Sequence, residues 1–132
     1  MSPPPSLSEE DALRAYARMM HHLSTNHLEG IVSDDFCYAS QQVLSELIGK
    51  EEFLAYMRPK LETIKRAGVL VWAELAYLKQ GRRRPCLILS QGDKDNRVGT
   101  VLAETAGGRL KRIDLCVVPS PAEANGTGEF PS

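Results

Sequence analysis

Hydrophobic positions recur along the chain with two different periods, and the change between them separates a helical first half from a stranded second half. Leu13, Tyr16, Ala17, Met20, Leu23 and His27 fall within one arc at about 100° per residue, while Arg14, Arg18 and His22 point away. This pattern predicts a helix that opens at Ser8, whose hydroxyl can cap free amides, with Asp11 three residues on and Leu7 placed to staple against Ala12. A short helical turn is predicted from Leu28 to Val32. From Asp34 the period becomes two, with Phe36, Tyr38 and Ser40 on one side of a strand and Cys37, Ala39 and Gln41 on the other. Gly49 breaks this run. Lys50 to Lys65 then place Phe53, Leu54, Met57, Leu61 and Ile64 on one face of a second helix. Pro59 lacks the amide that would bond back to Ala55 and crowds its carbonyl, so a bend is expected there, curving Met57 and Leu61 around the interior.

Ala67-Gly68 supplies a left-handed stop, and three or four strands follow. Val69 to Leu78, Cys86 to Ser90, Val98 to Thr105 and Leu110 to Val118 are separated by turns at Gly81 to Arg84, Gly92 to Asn96 and Ala106 to Gly108. Strands joined as successive hairpins are antiparallel, which makes this half a meander. Helices first and a meander afterwards predict an α+β domain, its helices packed on one face of a curved, mostly antiparallel sheet. Residues 1–7 and 119–132 are rich in Pro, Ser, Gly and Glu and are expected to be flexible ends around a single domain, 8–118. The sequence leaves open which face of the sheet Trp72 occupies.

A chain of 132 residues can bury one substantial core. Its 16 basic and 17 acidic residues nearly cancel, so nothing in the charge calls for nucleic acid or an anionic membrane. No apolar run reaches the roughly 18 residues of a membrane span, and the N-terminus has neither the basic segment nor the apolar core of a secretory signal, so a cytoplasmic location is expected. Cys37, Cys86 and Cys116 are odd in number and match no zinc spacing; buried thiols are expected. Asn125-Gly126-Thr127 fits a glycosylation pattern but is read as part of the tail. Arg82, Arg83 and Arg84 read as a solvated turn, and Asp114 has the parity opposite to Ile113, Leu115 and Val117, which puts it outside if those face in. No phosphate-binding loop, nucleophile elbow or metal-ligand cluster is present, and no cofactor or metal is expected.

The order of elements, the Asp34-Asp35-Phe36 start of the first strand, the glycine before the second helix and the Ala106-Gly107-Gly108-Arg109-Leu110 turn resemble the nuclear transport factor 2-like superfamily over residues 8–118. That resemblance implies a cone, in which a strongly bent sheet and the N-terminal helices enclose an apolar interior pocket, and many such proteins pair through the outer face of the sheet. The superfamily includes steroid delta-isomerases, scytalone dehydratase, limonene epoxide hydrolase and polyketide cyclases, beside members that only bind. The isomerases need a carboxylate base, a phenol and a protonated carboxylic acid. Only Tyr16 matches, as the phenol; the base position falls on Ser40 and the acid position on Thr100. The hydrolase pattern fails because Arg97 is followed by Gly99 where a carboxylate is needed. In the dehydratase pattern paired histidines face one pocket, whereas adjacent His21 and His22 diverge by about 100°.

The lining implied by this cone is Tyr16, Met20, Phe36, Tyr38, Ser40, Leu54, Met57 and Leu102, with His27 either a buried hydrogen-bonded residue or a polar group at the rim. Such a lining suits a small, flat, largely hydrophobic ligand fixed by one or two hydrogen bonds, with Tyr16 and Tyr38 to orient it. Three functions remain open: small-molecule binding without assigned chemistry, a protein-interaction module with a filled pocket, or a lyase, isomerase or hydrolase using Tyr16, His27 and Ser40. A homodimer through the outer face of the sheet is expected, because Cys86-Leu87-Ile88-Leu89 and Leu115-Cys116-Val117-Val118 are apolar on both faces and helices cover only one.

Overall fold

A computed structural model describes residues 7–42, 45–80 and 83–132. Helix α1 (Glu9–His22) starts as expected, with the Ser8 hydroxyl accepting from the Asp11 amide at 3.0 Å and three acidic residues in its first turn. It stops earlier than the hydrophobic arc implies. Leu23 takes a left-handed conformation at φ 55°, so His27 belongs to a separate one-turn helix, α2 (Asn26–Glu29), and no longer continues the stripe of α1. Strand β1 (Val32–Ser40) begins where the helical turn was expected to end, and an additional short strand, β2 (Ser45–Ile48), folds back on it as an antiparallel hairpin.

Helix α3 (Lys50–Ala67) is continuous through Pro59 and ends at Gly68, whose φ of 67° is the left-handed stop anticipated from the sequence. Pro59 and Ala55 both face solvent, where water can take the carbonyl that the proline leaves without an amide. The meander then follows as β3 (Val71–Leu78), β4 (Pro85–Gln91), β5 (Arg97–Ala106) and β6 (Arg109–Cys116). A 3₁₀ turn (Pro121–Glu123) leads into β7 (Ala124–Gly126). One sheet of seven strands results, in the order β2-β1-β6-β5-β4-β3-β7, antiparallel throughout except where β1 meets β6. The α+β class and the mostly antiparallel curved sheet are as expected.

Both helices pack on one face of that sheet. Leu13, Tyr16 and Met20 from α1 and Phe53, Leu54 and Met57 from α3 meet Phe36 and Tyr38 of β1 and Leu75, Val101 and Ile113 of the meander in one buried cluster. The opposite face carries a second, smaller cluster of Ala76, Cys86, Ile88 and Ala124, with Leu78 and Leu102 against it. The segment after residue 118, expected to be flexible, crosses this outer face: the buried Thr100 hydroxyl donates to the Pro119 carbonyl at 2.7 Å, and β7 pairs with the free edge of β3. Beyond β7 the Leu75 amide donates to the Glu129 carbonyl at 2.9 Å, and the Arg14 guanidinium grips the Glu129 carboxylate at 2.7 Å. Few apolar side chains are needed for this, because the unpaired edge of β3 supplies backbone hydrogen bonds. Trp72 lies on the same outer face, edge-on to Phe130, with the Lys94 ammonium over both rings.

The first six residues of the expected N-terminal flexible end, and Gly81 and Arg82 of the arginine turn, fall outside the described residues. Arg83 is exposed beside the Tyr77 ring. Cys86 and Cys116 are buried free thiols, and Cys37 is half-buried. No helix among the described residues is long and apolar enough to cross a membrane.

Gly99 gives a direct check of how closely β5 and β6 pack. A Cβ there would stand 2.9 Å from the Cys116 carbonyl oxygen, a backbone atom that cannot step aside without parting the strands. Gly99→Ala is therefore expected to cost about 1–3 kcal/mol in chemical denaturation. Gly30 has open space around it and a negative φ, so Gly30→Ala is expected to be neutral or to stabilise by up to about 1 kcal/mol.

Candidate functional site

The strand ends decide where the interior opens. The last residues of β1, β4 and β6 and the first of β3 and β5 come together at one end of the sheet, beside the second half of α3. A cleft of about 70 Å³ lies there, walled by Tyr16, Met20, Ile64, Val71, Leu89, Val98 and Leu115, with Gln42, Lys60 and Gln91 supplying polar groups. Of the residues expected to line the cone, only Tyr16 and Met20 border this opening.

Phe36, Tyr38, Leu54 and Met57 lie deeper and are filled around by one another; the Phe36 and Phe53 rings meet edge-on at 4.9 Å, and Tyr38 lies 5.3 Å from Phe53. Ser40 shares the inward parity of β1 and is 5% exposed, but does not border the cleft. Three expected site residues are elsewhere. Thr100 and Leu102 project from the outer face, because β5 turns Val101 and Ala103 inward. Alternation along β5 could not reveal this: the outer face is itself apolar, so the larger residues of the strand sit on the side away from the helices. His27 is half-buried on α2 and stacks on the His22 ring at 5.0 Å, outside the cleft. The left-handed residue at Leu23 is what moves it off the arc of α1. Asp114 is on the outer side, as its parity indicated, and accepts both arms of Arg112 at 2.9 Å.

Three phenols converge below the opening. Tyr38 lies 6.0 Å from Tyr56, whose ring is flanked by the Lys60 ammonium at 5.5 Å. Burial, followed by the neighbouring phenol of Tyr38, raises the pKa of Tyr16 well above its ordinary value. Burial, reinforced by Tyr56, pushes that of Tyr38 up to about 12. Although close, the Tyr16 and Tyr38 hydroxyls are not aligned as a hydrogen-bonded pair, and the Tyr38 hydroxyl is buried with no hydrogen-bond partner. Both phenols remain protonated at neutral pH and can donate to a carbonyl or hydroxyl oxygen; neither serves as a base there. Sequence reasoning missed Gln42, Tyr56, Lys60 and Gln91. Tyr56 borders the apolar stripe of α3, and Lys60 follows it by one helical turn, so their pairing was detectable from spacing alone.

Among the described residues no group of three or more His, Cys, Asp or Glu side chains converges as a metal site. Burial, then Glu46, raises the Cys37 thiol to about 11, and burial raises that of Cys86 to about 11, so neither is an activated nucleophile.

No protein-family model matches the sequence, and no curated protein matches it. Solved structures do match in fold. A SnoaL-like protein of unknown function from Burkholderia thailandensis aligns with a TM-score of 0.59 at 15% identity, over 96% of this chain and 100% of that one. A nuclear transport factor 2-like protein of unknown function from Cytophaga hutchinsonii aligns at 0.57 and 9% identity, over 89% and 97%. A protein from Kribbella flavida, proposed to be a ketosteroid isomerase, aligns at 0.56 and 16% identity, over 81% and 76%. The chain has the nuclear transport factor 2-like fold, also described as cystatin-like.

Replacing Tyr38 tests the unsatisfied phenol. Tyr38→Phe removes a buried polar atom that has no partner, so stability is expected to stay level or rise by about 1–2 kcal/mol rather than fall. Alkaline titration offers a second check. A phenol whose folded pKa of about 12 exceeds its ordinary 10.0 contributes stability that is constant below pH 10 and is lost as pH rises from there through 12. Denaturation midpoints measured across that window are expected to fall less in Tyr38→Phe than in the parent.

Proposed function

We propose that the protein binds a small, largely apolar molecule at the open end of the cone, its polar atom held by the Tyr16 hydroxyl with Tyr38 beside it. The observation that carries this reading is the buried, protonated Tyr16 phenol at an opening walled mainly by apolar side chains, with the Tyr38 phenol, which has no hydrogen-bond partner, behind it. An unsatisfied buried hydroxyl costs about 1–3 kcal/mol, and a ligand oxygen that reaches it offsets that cost. Gln42, Lys60 and Gln91 at the rim add the few polar contacts that fix orientation in such sites. Room of about 70 Å³ is well below the roughly 300–1,000 Å³ of a drug-sized site, so the ligand is a small compound or inserts one arm of a larger one.

That small volume favours a second reading, in which the interior is essentially packing and the protein acts through its surface. Val117 and Val118, 50% and 67% exposed, lie where the chain leaves β6 for the outer face, and a second copy of the chain pairing there would cover them. Under this reading the protein is a homodimer, and sedimentation at micromolar concentration gives a dimer; a clean monomer removes it.

A fragment screen by ligand-observed NMR tests the first reading. Small planar compounds with one carbonyl or hydroxyl are expected to bind, and Tyr16→Phe is expected to weaken them by up to about tenfold with the fold intact. Affinity unchanged in Tyr16→Phe, or no binder at all, contradicts it. The same protein is expected to leave a 3-keto-Δ5 steroid unconverted, because Ser40 and Thr100 cannot replace the two carboxylic groups and Thr100 lies on the other face of the sheet.

A further inference from the structure

The end of the sheet opposite the phenols holds a larger opening. β1 and β6 run in register from Cys37 and Arg112 onward, but before that point a step of five residues along β1, from Val32 to Cys37, matches a step of only two along β6, from Leu110 to Arg112. The strands part there, and a surface groove of about 450 Å³ fills the gap. Its walls are Val32, Ser33, Asp34 and Asp35 of β1, Lys50 at the start of α3, and Arg109 and Lys111 of β6. Unlike the phenol cleft, this groove has the volume of an ordinary small-ligand site.

We propose that this groove binds a small molecule through an oxyanion, a carboxylate or phosphate group, held between Lys50 and Arg109. Three cations and two carboxylates line the walls, and the charges are unequally engaged. Lys111 is committed to Asp35 at 3.1 Å. Arg109 spends one amino group on the Gly30 carbonyl at 2.8 Å, which anchors the guanidinium while leaving its other donors for a ligand. Lys50 forms no ion pair among the described residues and is half-buried at the groove. Lys50 is also the first residue of an 18-residue helix whose cap, Gly49, has no side chain to satisfy the first-turn amides. Those amides and the positive end of the helix favour an anion at the place where Lys50 and the groove already are. A further polar atom lies in the wall: the Ser33 hydroxyl is buried, close enough to Asp35 to help hold that carboxyl below its usual range, yet not aligned for a hydrogen bond. Asp34 is exposed and unpaired among the described residues, and opposes an anion. A ligand with one oxyanion thus has two available cations, Lys50 and Arg109, a helix start and a spare hydroxyl in its favour, against one solvated carboxylate.

Titration of the full chain with inorganic phosphate and, separately, with succinate at low ionic strength tests this, followed by amide chemical shifts. Saturable shifts confined to Ser33, Gly49, Lys50, Glu51 and Arg109 are expected, and whichever anion produces them identifies phosphate or carboxylate as the recognised group. Lys50→Gln is expected to weaken binding about tenfold, as for loss of one charge-assisted hydrogen bond, without disturbing the other resonances. Asp34→Asn, which removes only the opposing charge, is expected to strengthen it. Shifts that fail to saturate or spread over basic residues elsewhere overturn the proposal, as does an affinity unchanged in Lys50→Gln. Weaker binding in Asp34→Asn also overturns it, since a ligand that needs Asp34 carries a positive charge. The phenol cleft takes no part in any of these outcomes, so the two sites stand or fall separately.

Discussion

A sheet that is apolar on both faces has to be covered twice, and in this protein one chain supplies both covers. Helices α1 and α3 fill the inner face with Leu13, Tyr16, Phe53, Leu54 and Met57, while the C-terminal segment lies across Cys86, Ile88 and Thr100 on the outer face and closes the edge of β3. The two covers are tied together where Arg14 of α1 meets Glu129. As an exposed ion pair it adds at most about 1 kcal/mol, so it sets the register of the strap more than its strength. The backbone bonds along β3 and the burial of Ala124 hold the strap in place.

Filling the inner face with large side chains also fixes where chemistry can occur. Phe36, Tyr38, Phe53 and Met57 leave little space at the middle of the cone, and the polar groups are displaced to the two ends of the strands. At one end are protonated phenols with an amide and ammonium rim, suited to a neutral oxygen. At the other are Lys50 and Arg109 at a helix start, suited to an anion. The two openings differ in volume as well as charge, about 70 Å³ against 450 Å³, and no shared residue couples them.

Most of the fold was legible in the sequence because periodicity records which side of an element is buried. The cap at Ser8, the stop at Gly68, the inward set of β1 and the meander all followed from local patterns. What escaped notice depended on contacts distant in sequence. β2 is too short to show a period, and the strap draws its order from the edge of β3 rather than from its own composition. Alternation says only that two sides of β5 differ, and because both are apolar it does not reveal that Thr100 and Leu102 face outward. His27 was lost to a single left-handed residue, Leu23, a conformation that non-glycine sequence rarely signals. At the site, Tyr16 and Met20 were recoverable, whereas Gln42, Lys60 and Gln91 came together only through the packing of three separate elements.

That the chain covers its own sheet on both faces is tested most directly by native-state hydrogen exchange at the β3 edge. The Leu75 and Thr127 amides, bonded to the Glu129 and Leu75 carbonyls at 2.9 Å, are expected to exchange with protection comparable to amides between β3 and β4. Exchange at Thr127 and its neighbours at the rate of an unstructured chain, with β3–β4 still protected, would show a free tail and leave the outer face of the sheet without its cover.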